Sequence, residues 1–386
     1  MKSICSRFML QYLCSIGVAI GIISCGGDNN NTSSLSTNSI SVTVAAGPGG
    51  LTPNMPFVSV TVCEPGTFTC KTIDNIQLDT GSSGLRIFAS TVKSLNLGFH
   101  SPTVYTCATF GTGDSWGTVQ LGDIRMAGEL ASSMAIQVID DSNNTVIPSG
   151  CSTGPSTPAA LGSNGIMGVS TILYDQTFYF SSCTPSVAGY CQISPPLNYQ
   201  IQNPIAAFAV NNNGLLIRLP QISTMGATSV TGTVIFGIDT QANNSSNGAN
   251  FIPVNSNGYF TTIFNGITYP QSFIDSGSTY LVFSSNELPI CDGGAFYCPT
   301  STKTYTATMA LKNNATSAVS FSVANAYSLG STYYAFNNLA GPLIATLGNQ
   351  TFDWGLPFFF GRTVYVGISG KTSNAGTGPY FAYADN

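Results

Sequence analysis

Two short stretches of the chain follow one pattern. Ile76-Gln77-Leu78-Asp79-Thr80-Gly81-Ser82-Ser83-Gly84-Leu85 runs from an apolar segment into Asp, a small hydroxyl residue, Gly and two more hydroxyl residues, then back into apolar residues. Ser272-Phe273-Ile274-Asp275-Ser276-Gly277-Ser278-Thr279-Tyr280-Leu281 does the same. The two aspartates lie 196 positions apart, about half of the 386-residue chain. A carboxylate at the end of a buried strand is costly to place. Two of them in matching settings imply two half-domains that each bring one carboxylate to a shared site.

The rest of the chain fits an all-β fold. Hydrophobic residues make up 43% and charged residues only 7%, which excludes a disordered chain. Ser39–Val44 and Phe57–Val62 alternate with period two, and Asn-Gly pairs at 213–214, 247–248, 257–258 and 265–266 mark turns. Short helical turns are expected only near Thr91–Leu97 and Ser284–Leu288. The net charge is −5 and the 11 Lys and Arg form no basic run, so no nucleic-acid partner is expected. Nothing in the sequence sets the oligomeric state, and a monomer is taken as the default.

The N-terminus has the form of an export signal. Lys2 and Arg7 precede a nearly apolar run from Phe8 to Ile23, short for a membrane span of roughly 20 residues. Ile22-Ile23-Ser24-Cys25 resembles the bacterial lipobox, which implies cleavage before Cys25 and a lipid on that residue. A bacterial envelope lipoprotein follows from that resemblance, with the outer membrane favoured by Gly26 and its face, periplasmic or exterior, left open. Residues 25–45 then form a lipid-anchored flexible linker, 46–222 an N-terminal lobe and 223–386 a C-terminal lobe, with 1–24 as the signal peptide.

Of 11 cysteines, Cys5 and Cys14 leave with the signal and Cys25 carries lipid. The remaining eight are an even set, as an exported disulfide protein would have. Three close pairs favour Cys63–Cys70, Cys183–Cys191 and Cys291–Cys298, which leaves Cys107–Cys151. With no C-x-x-C and one histidine, His100, no metal or other cofactor is expected. His100 also has no G-x-S-x-G partner for nucleophilic catalysis and is read as a surface loop residue. Asp140–Asn144 lacks the Gly and terminal Glu of a calcium loop.

Two carboxylates held close share one proton, because ionising both is opposed by like charge. The ionised member can take a proton from a water between them; the protonated member can polarise a peptide carbonyl. Gly after each Asp-Thr or Asp-Ser lets the loops approach. Thr80 and Ser276 can bridge the two halves, and Ser82 and Ser278 can donate to the carboxylates.

With these motifs the chain resembles the pepsin-type bilobal aspartic peptidases, closest to a bacterial branch of exported members without assigned function. Asp79-Thr80-Gly81 and Asp275-Ser276-Gly277 match the family's catalytic motifs. Phe110-Gly111-Thr112-Gly113 resembles the flap hairpin that folds over substrate. Gly165-Ile166-Met167-Gly168-Val169 and Phe352-Asp353-Trp354-Gly355 are similar to the elements that thread beneath the catalytic loops, and Gly232–Asp239 to the approach to the C-terminal lobe. The resemblance implies a double β-barrel with a cleft that takes an extended peptide, cleaved by Asp79 and Asp275.

Departures from the family pattern concern the flap. Phe110 replaces its tyrosine and Arg86 the tryptophan that pairs with that tyrosine. An Arg86–Phe110 cation–π contact of roughly 0.5–2 kcal/mol is expected in exchange, and both Arg86 and Trp116 are placed at the substrate cleft. Gly355-Leu356 stands where the family has Gly-Asp. Two functions follow: an exported aspartic endopeptidase, or a catalytically silent binding or inhibitor protein on the same fold.

Overall fold

The paired Asp stretches each end a strand of a nearly all-β protein. The structure, a computed structural model, describes residues 37–386 except 51, 143–145, 152–153, 184–188 and 344–346. Leu35–Asn386 forms one unit of contacts.

In the N-terminal half, strand Pro56–Cys63 pairs antiparallel with Cys70–Asp79, which delivers Asp79. Its period-two reading holds: Val58, Val60 and Val62 are buried while Ser59 faces solvent. A meander of Val104–Phe110, Gly113–Met126 and Glu129–Ile139 follows. Strand Gly165–Val169 then inserts between the two strands that flank the Asp79 loop, parallel to Cys70–Asp79 and antiparallel to Ser83–Phe88.

The C-terminal half repeats this arrangement. Hairpin Phe260–Phe264 and Ile267–Ile274 turns at Asn265-Gly266, whose φ angles of 48° and 75° fit the two left-handed positions of a type I′ turn. Ile267–Ile274 delivers Asp275. Asp353–Trp354 runs parallel to it and antiparallel to Leu281–Val282, so it occupies the place that Gly165–Val169 holds in the first half. Phe264, Phe283, Phe321, Phe352 and Trp354 pack ring against ring below it.

A shared sheet joins the halves. Cys70–Asp79 and Pro56–Cys63 continue through Ser39–Val44, Val230–Phe236, Gly214–Arg218, Arg362–Gly367, Tyr380–Asp385 and Asn250–Pro253. All six residues of Ser39–Val44 register with Val230–Phe236, so a flexible linker reaching residue 45 is corrected: the ordered sheet starts at Ser39, where Val42 and Val44 are fully buried. The division at 222 falls between two strands of this sheet. The signal peptide, Cys25 and most of the linker lie outside the described residues. No helix among the described residues is long and apolar enough to cross a membrane.

The expected helical turns are only partly formed. Ala89–Val92 is helical, starting two residues before Thr91, while Ser284–Leu288 has no helix. All four expected disulfides form: Cys63–Cys70, Cys107–Cys151, Cys183–Cys191 and Cys291–Cys298. The first links directly registered residues at the end of the hairpin that carries Asp79.

Candidate active site

Each Asp loop is held by its own backbone before it meets its twin. Gly81 N–H donates to Asp79 Oδ1 at 2.7 Å, and Gly277 N–H donates to Asp275 Oδ1 at 2.7 Å. Ser82 donates to Asp79 Oδ2, and Ser278 donates to Asp275 Oδ2 at 2.8 Å. Four donors thus fix the two carboxyl groups.

The loops lock together through Thr80 and Ser276, both fully buried. Thr80 N–H donates to Ser276 Oγ at 3.1 Å, and Ser276 N–H donates to Thr80 Oγ1 at 2.9 Å. Their hydroxyls donate onward to the opposite strand, Thr80 to the Ile274 carbonyl at 2.9 Å and Ser276 to the Leu78 carbonyl at 2.7 Å. Glycine is required at the centre. A Cβ on Gly81 would lie 2.6 Å from Asp275 Cγ, and one on Gly277 2.7 Å from Asp79 Oδ1. The threading strands need glycine too: a Cβ on Gly168 would meet Ser82, and one on Gly355 would meet the Ser278 carbonyl, each at 2.7 Å.

This closeness shapes the electrostatics. Burial, and then the neighbouring Asp79 and Asp353 carboxyls, push Asp275 well above the usual carboxylate range. The dyad therefore holds a proton into a pH range where an exposed aspartate is ionised.

The carboxyls face a cleft of about 530 Å³. Gln77, Phe273, Tyr280 and Asp353 line it from the strand ends, and Thr109, Phe110, Gly111 and Thr112 line it from the hairpin above. That hairpin closes with Phe110 opposite Gly113, whose φ is 117°. Phe110, Gly111 and Thr112 of the hairpin thus line the same cleft as the two carboxyls, while Gly113 does not.

Arg86 is placed differently from the expectation. It is buried behind the flap, ion-paired to Asp175 at 2.8 Å and bonded to Gln137 Oε1 at 2.8 Å. Its guanidinium lies 5.7 Å from the Phe110 ring centroid, so the expected cation–π contact forms. It lines a side cavity of about 160 Å³ with Phe110 and Asp175, not the cleft of the dyad.

Trp116 is a correction. It is 6% exposed, stacked on Tyr105 and edge-on to Phe180 and Tyr190, beside the Cys107–Cys151 disulfide. Its position registers with Cys107 rather than with the hairpin tip, which turns its ring into the sheet's packing. His100 is also not a surface residue: it is 8% exposed and stacked on Tyr199, with ring centroids 3.5 Å apart. Burial lowers its pKa. Among the described residues, the one cluster with metal-ligand spacing is Cys107, Asp114 and Cys151, and both of its sulfurs are already in a disulfide.

The sequence reading missed Asp353. It reads Phe352–Phe359 as the C-terminal counterpart of the element that threads beneath the catalytic loop and gives Asp353 no role; the signal is a lone Asp between Phe352 and Trp354 in an otherwise apolar run. Asp353 is 1% exposed, and its Oδ2 lies 2.6 Å from Ser278 Oγ. Burial is the main cause that pushes its pKa up.

Comparison with known proteins supports the architecture. A crystal structure of an aspartic proteinase from Irpex lacteus superposes with a TM-score of 0.52 at 15% identity, over 90% of this chain and 97% of that one. At that identity the likeness establishes the fold: a pepsin-like, bilobal double β-barrel. No curated protein matches the sequence. Residues 34–383 match a family described as "Protein of unknown function (DUF3443)".

Proposed function

From the premise that the chain belongs to the DUF3443 family, whose description names no reaction, we propose that it is an aspartic-type endopeptidase. One observation carries this reading: two buried aspartates, each fixed by a Gly N–H and a Ser hydroxyl, face each other across loops that only glycine allows to approach.

The reaction follows from one proton shared by the pair. The ionised carboxyl takes a proton from a water held between the two, and the water oxygen bonds to the peptide carbonyl carbon. The protonated carboxyl gives its proton to the carbonyl oxygen, leaving a neutral tetrahedral diol. Collapse breaks the C–N bond, one carboxyl returning a proton to the leaving nitrogen and the other receiving one from the diol. The dyad ends with one proton, as it began. The substrate is an extended segment, laid along the cleft beneath Phe110–Thr112.

Export to an oxidising compartment is part of the proposal, supported by four disulfides that pair all eight cysteines from Cys63 onward. Lipid attachment at Cys25 predicts that fatty-acid labelling disappears in Cys25→Ser.

The test is incubation of the purified chain with an unfolded protein substrate from pH 3 to 7, beside Asp79→Asn and Asp275→Asn. Each variant should lose about 10²–10⁴-fold in rate. Equal cleavage by wild type and variants overturns the reading. A folded wild type that cleaves nothing at any pH favours the silent binding protein, the reading to which Phe110 at the flap-tyrosine position points.

A further inference from the structure

A single hydroxyl proton cannot serve two acceptors at once, yet Ser278 Oγ lies 2.8 Å from Asp275 Oδ2 and 2.6 Å from Asp353 Oδ2. Were both carboxyls ionised, one of these contacts would bring two lone pairs together with no proton between them. One of the two must therefore be a carboxylic acid that donates to Ser278.

The surroundings identify which. Asp275 Oδ1 accepts from Gly277 N–H, so its anion is provided for. Asp353 Oδ1 is buried and meets no hydrogen-bond donor, a setting that a neutral acid tolerates far better than a carboxylate. The ionisable groups acting on Asp353 are Asp79 and Asp275 from the two catalytic loops and Tyr280, just ahead of strand Leu281–Val282. No Lys, Arg or His lines the cleft among the described residues.

We propose that Asp353 is a third, proton-holding carboxyl of the site: it donates to Ser278 Oγ, which commits the Ser278 proton to Asp275. The role is a positioning one and rests on the peptidase reading. A one-place shift of both protons along this chain would protonate Asp275, leave Ser278 neutral and leave Asp353 ionised, with no net gain or loss. Ionised Asp353 adds a negative charge beside the dyad, which makes the dyad keep its shared proton to higher pH. Asp353 thereby extends the basic side of the activity range.

Two variants separate this from a packing role. Asp353→Asn keeps an N–H donor toward Ser278 and cannot ionise. Its loss of kcat/KM should be smallest at acid pH and grow as pH rises, the basic limb of the profile moving down by about one pH unit. Asp353→Leu removes the donor as well and should lose at least about tenfold at every pH. An independent readout is the infrared carbonyl band of protonated carboxyls in the folded chain at pH 6, which should be weaker by one group in Asp353→Asn. A superimposable pH profile, or an unchanged band, overturns the proposal. If the wild type cleaves no peptide, the peptidase reading fails on its own, and the band still decides whether Asp353 holds the proton.

Discussion

Thr80 and Ser276 exchange hydrogen bonds across the two halves, each backbone N–H donating to the other's hydroxyl at 3.1 and 2.9 Å. The two residues come from strands 196 positions apart, so this contact exists only once the long-range fold is complete. Thr80→Val would orphan the Ser276 N–H and the Ile274 carbonyl, at about 1–3 kcal/mol for each buried group. The check is a double-mutant cycle with Ser276→Ala by denaturant unfolding, with an expected coupling of about 0.5–3 kcal/mol. Additive losses would mean that the two halves are held together elsewhere.

The glycines at the centre should be intolerant of a single methyl group. In Gly277→Ala the new Cβ would lie 2.7 Å from Asp79 Oδ1, whose carboxyl cannot yield without leaving Gly81 N–H and Ser82. A displacement approaching 1 Å should cost about 10²-fold in kcat, with a stability loss of about 1–3 kcal/mol. Full activity in a folded Gly277→Ala enzyme would show that the carboxyl spacing is not what the reaction needs.

How much of this was legible beforehand divides by physical cause. The Asp loops, the Thr80 and Ser276 bridge, the flap tip and the four disulfides depend on local motifs and spacing, and the structure brings all of them together. Trp116 was misplaced because period-two patterning gives the face a residue takes but not what that face packs on; here a disulfide and three aromatic rings already occupy it. Ser39–Val44 already shows the period-two alternation of a strand, yet the linker bound at residue 45 includes it; pairing with Val230–Phe236 and Pro56–Cys63 sets where the sheet begins. Asp353 was missed for a related reason. Its significance lies wholly in Ser278, 75 positions earlier.

Arg86 is fully buried, and its removal should be costly. Arg86→Met leaves Asp175 inside the protein without its cation, although Thr177 and Tyr179 still donate to it. Breaking a buried pair from one side costs roughly 3–5 kcal/mol. Asp175→Asn in the Arg86→Met background should restore part of the loss, measured by denaturant midpoint. Because Arg86 also faces the Phe110 ring, the single variant should loosen the hairpin, raising KM more than it lowers kcat. A loss below about 1 kcal/mol would show that the pair adds nothing beyond its desolvation.

The two raised carboxyls make stability depend on pH in a definite direction. Asp275 and Asp353 both have folded-state pKa values above the unfolded value of about 4. Between the unfolded and folded values the native chain binds more protons than the unfolded chain, so stability falls as pH rises through that window and then levels. Asn at either position cannot ionise in either state and removes that group's share. The stability of Asp275→Asn or Asp353→Asn minus that of wild type should therefore rise from about pH 4 upward. The limiting slope is about 1.4 kcal/mol per pH unit for one proton. Calorimetric unfolding at pH 4, 5, 6 and 7 measures it, and comparison with wild type cancels the other acidic residues. A difference that stays flat from pH 4 to 7 would mean that both carboxyls are ionised in the fold, and that Ser278 bridges them some other way.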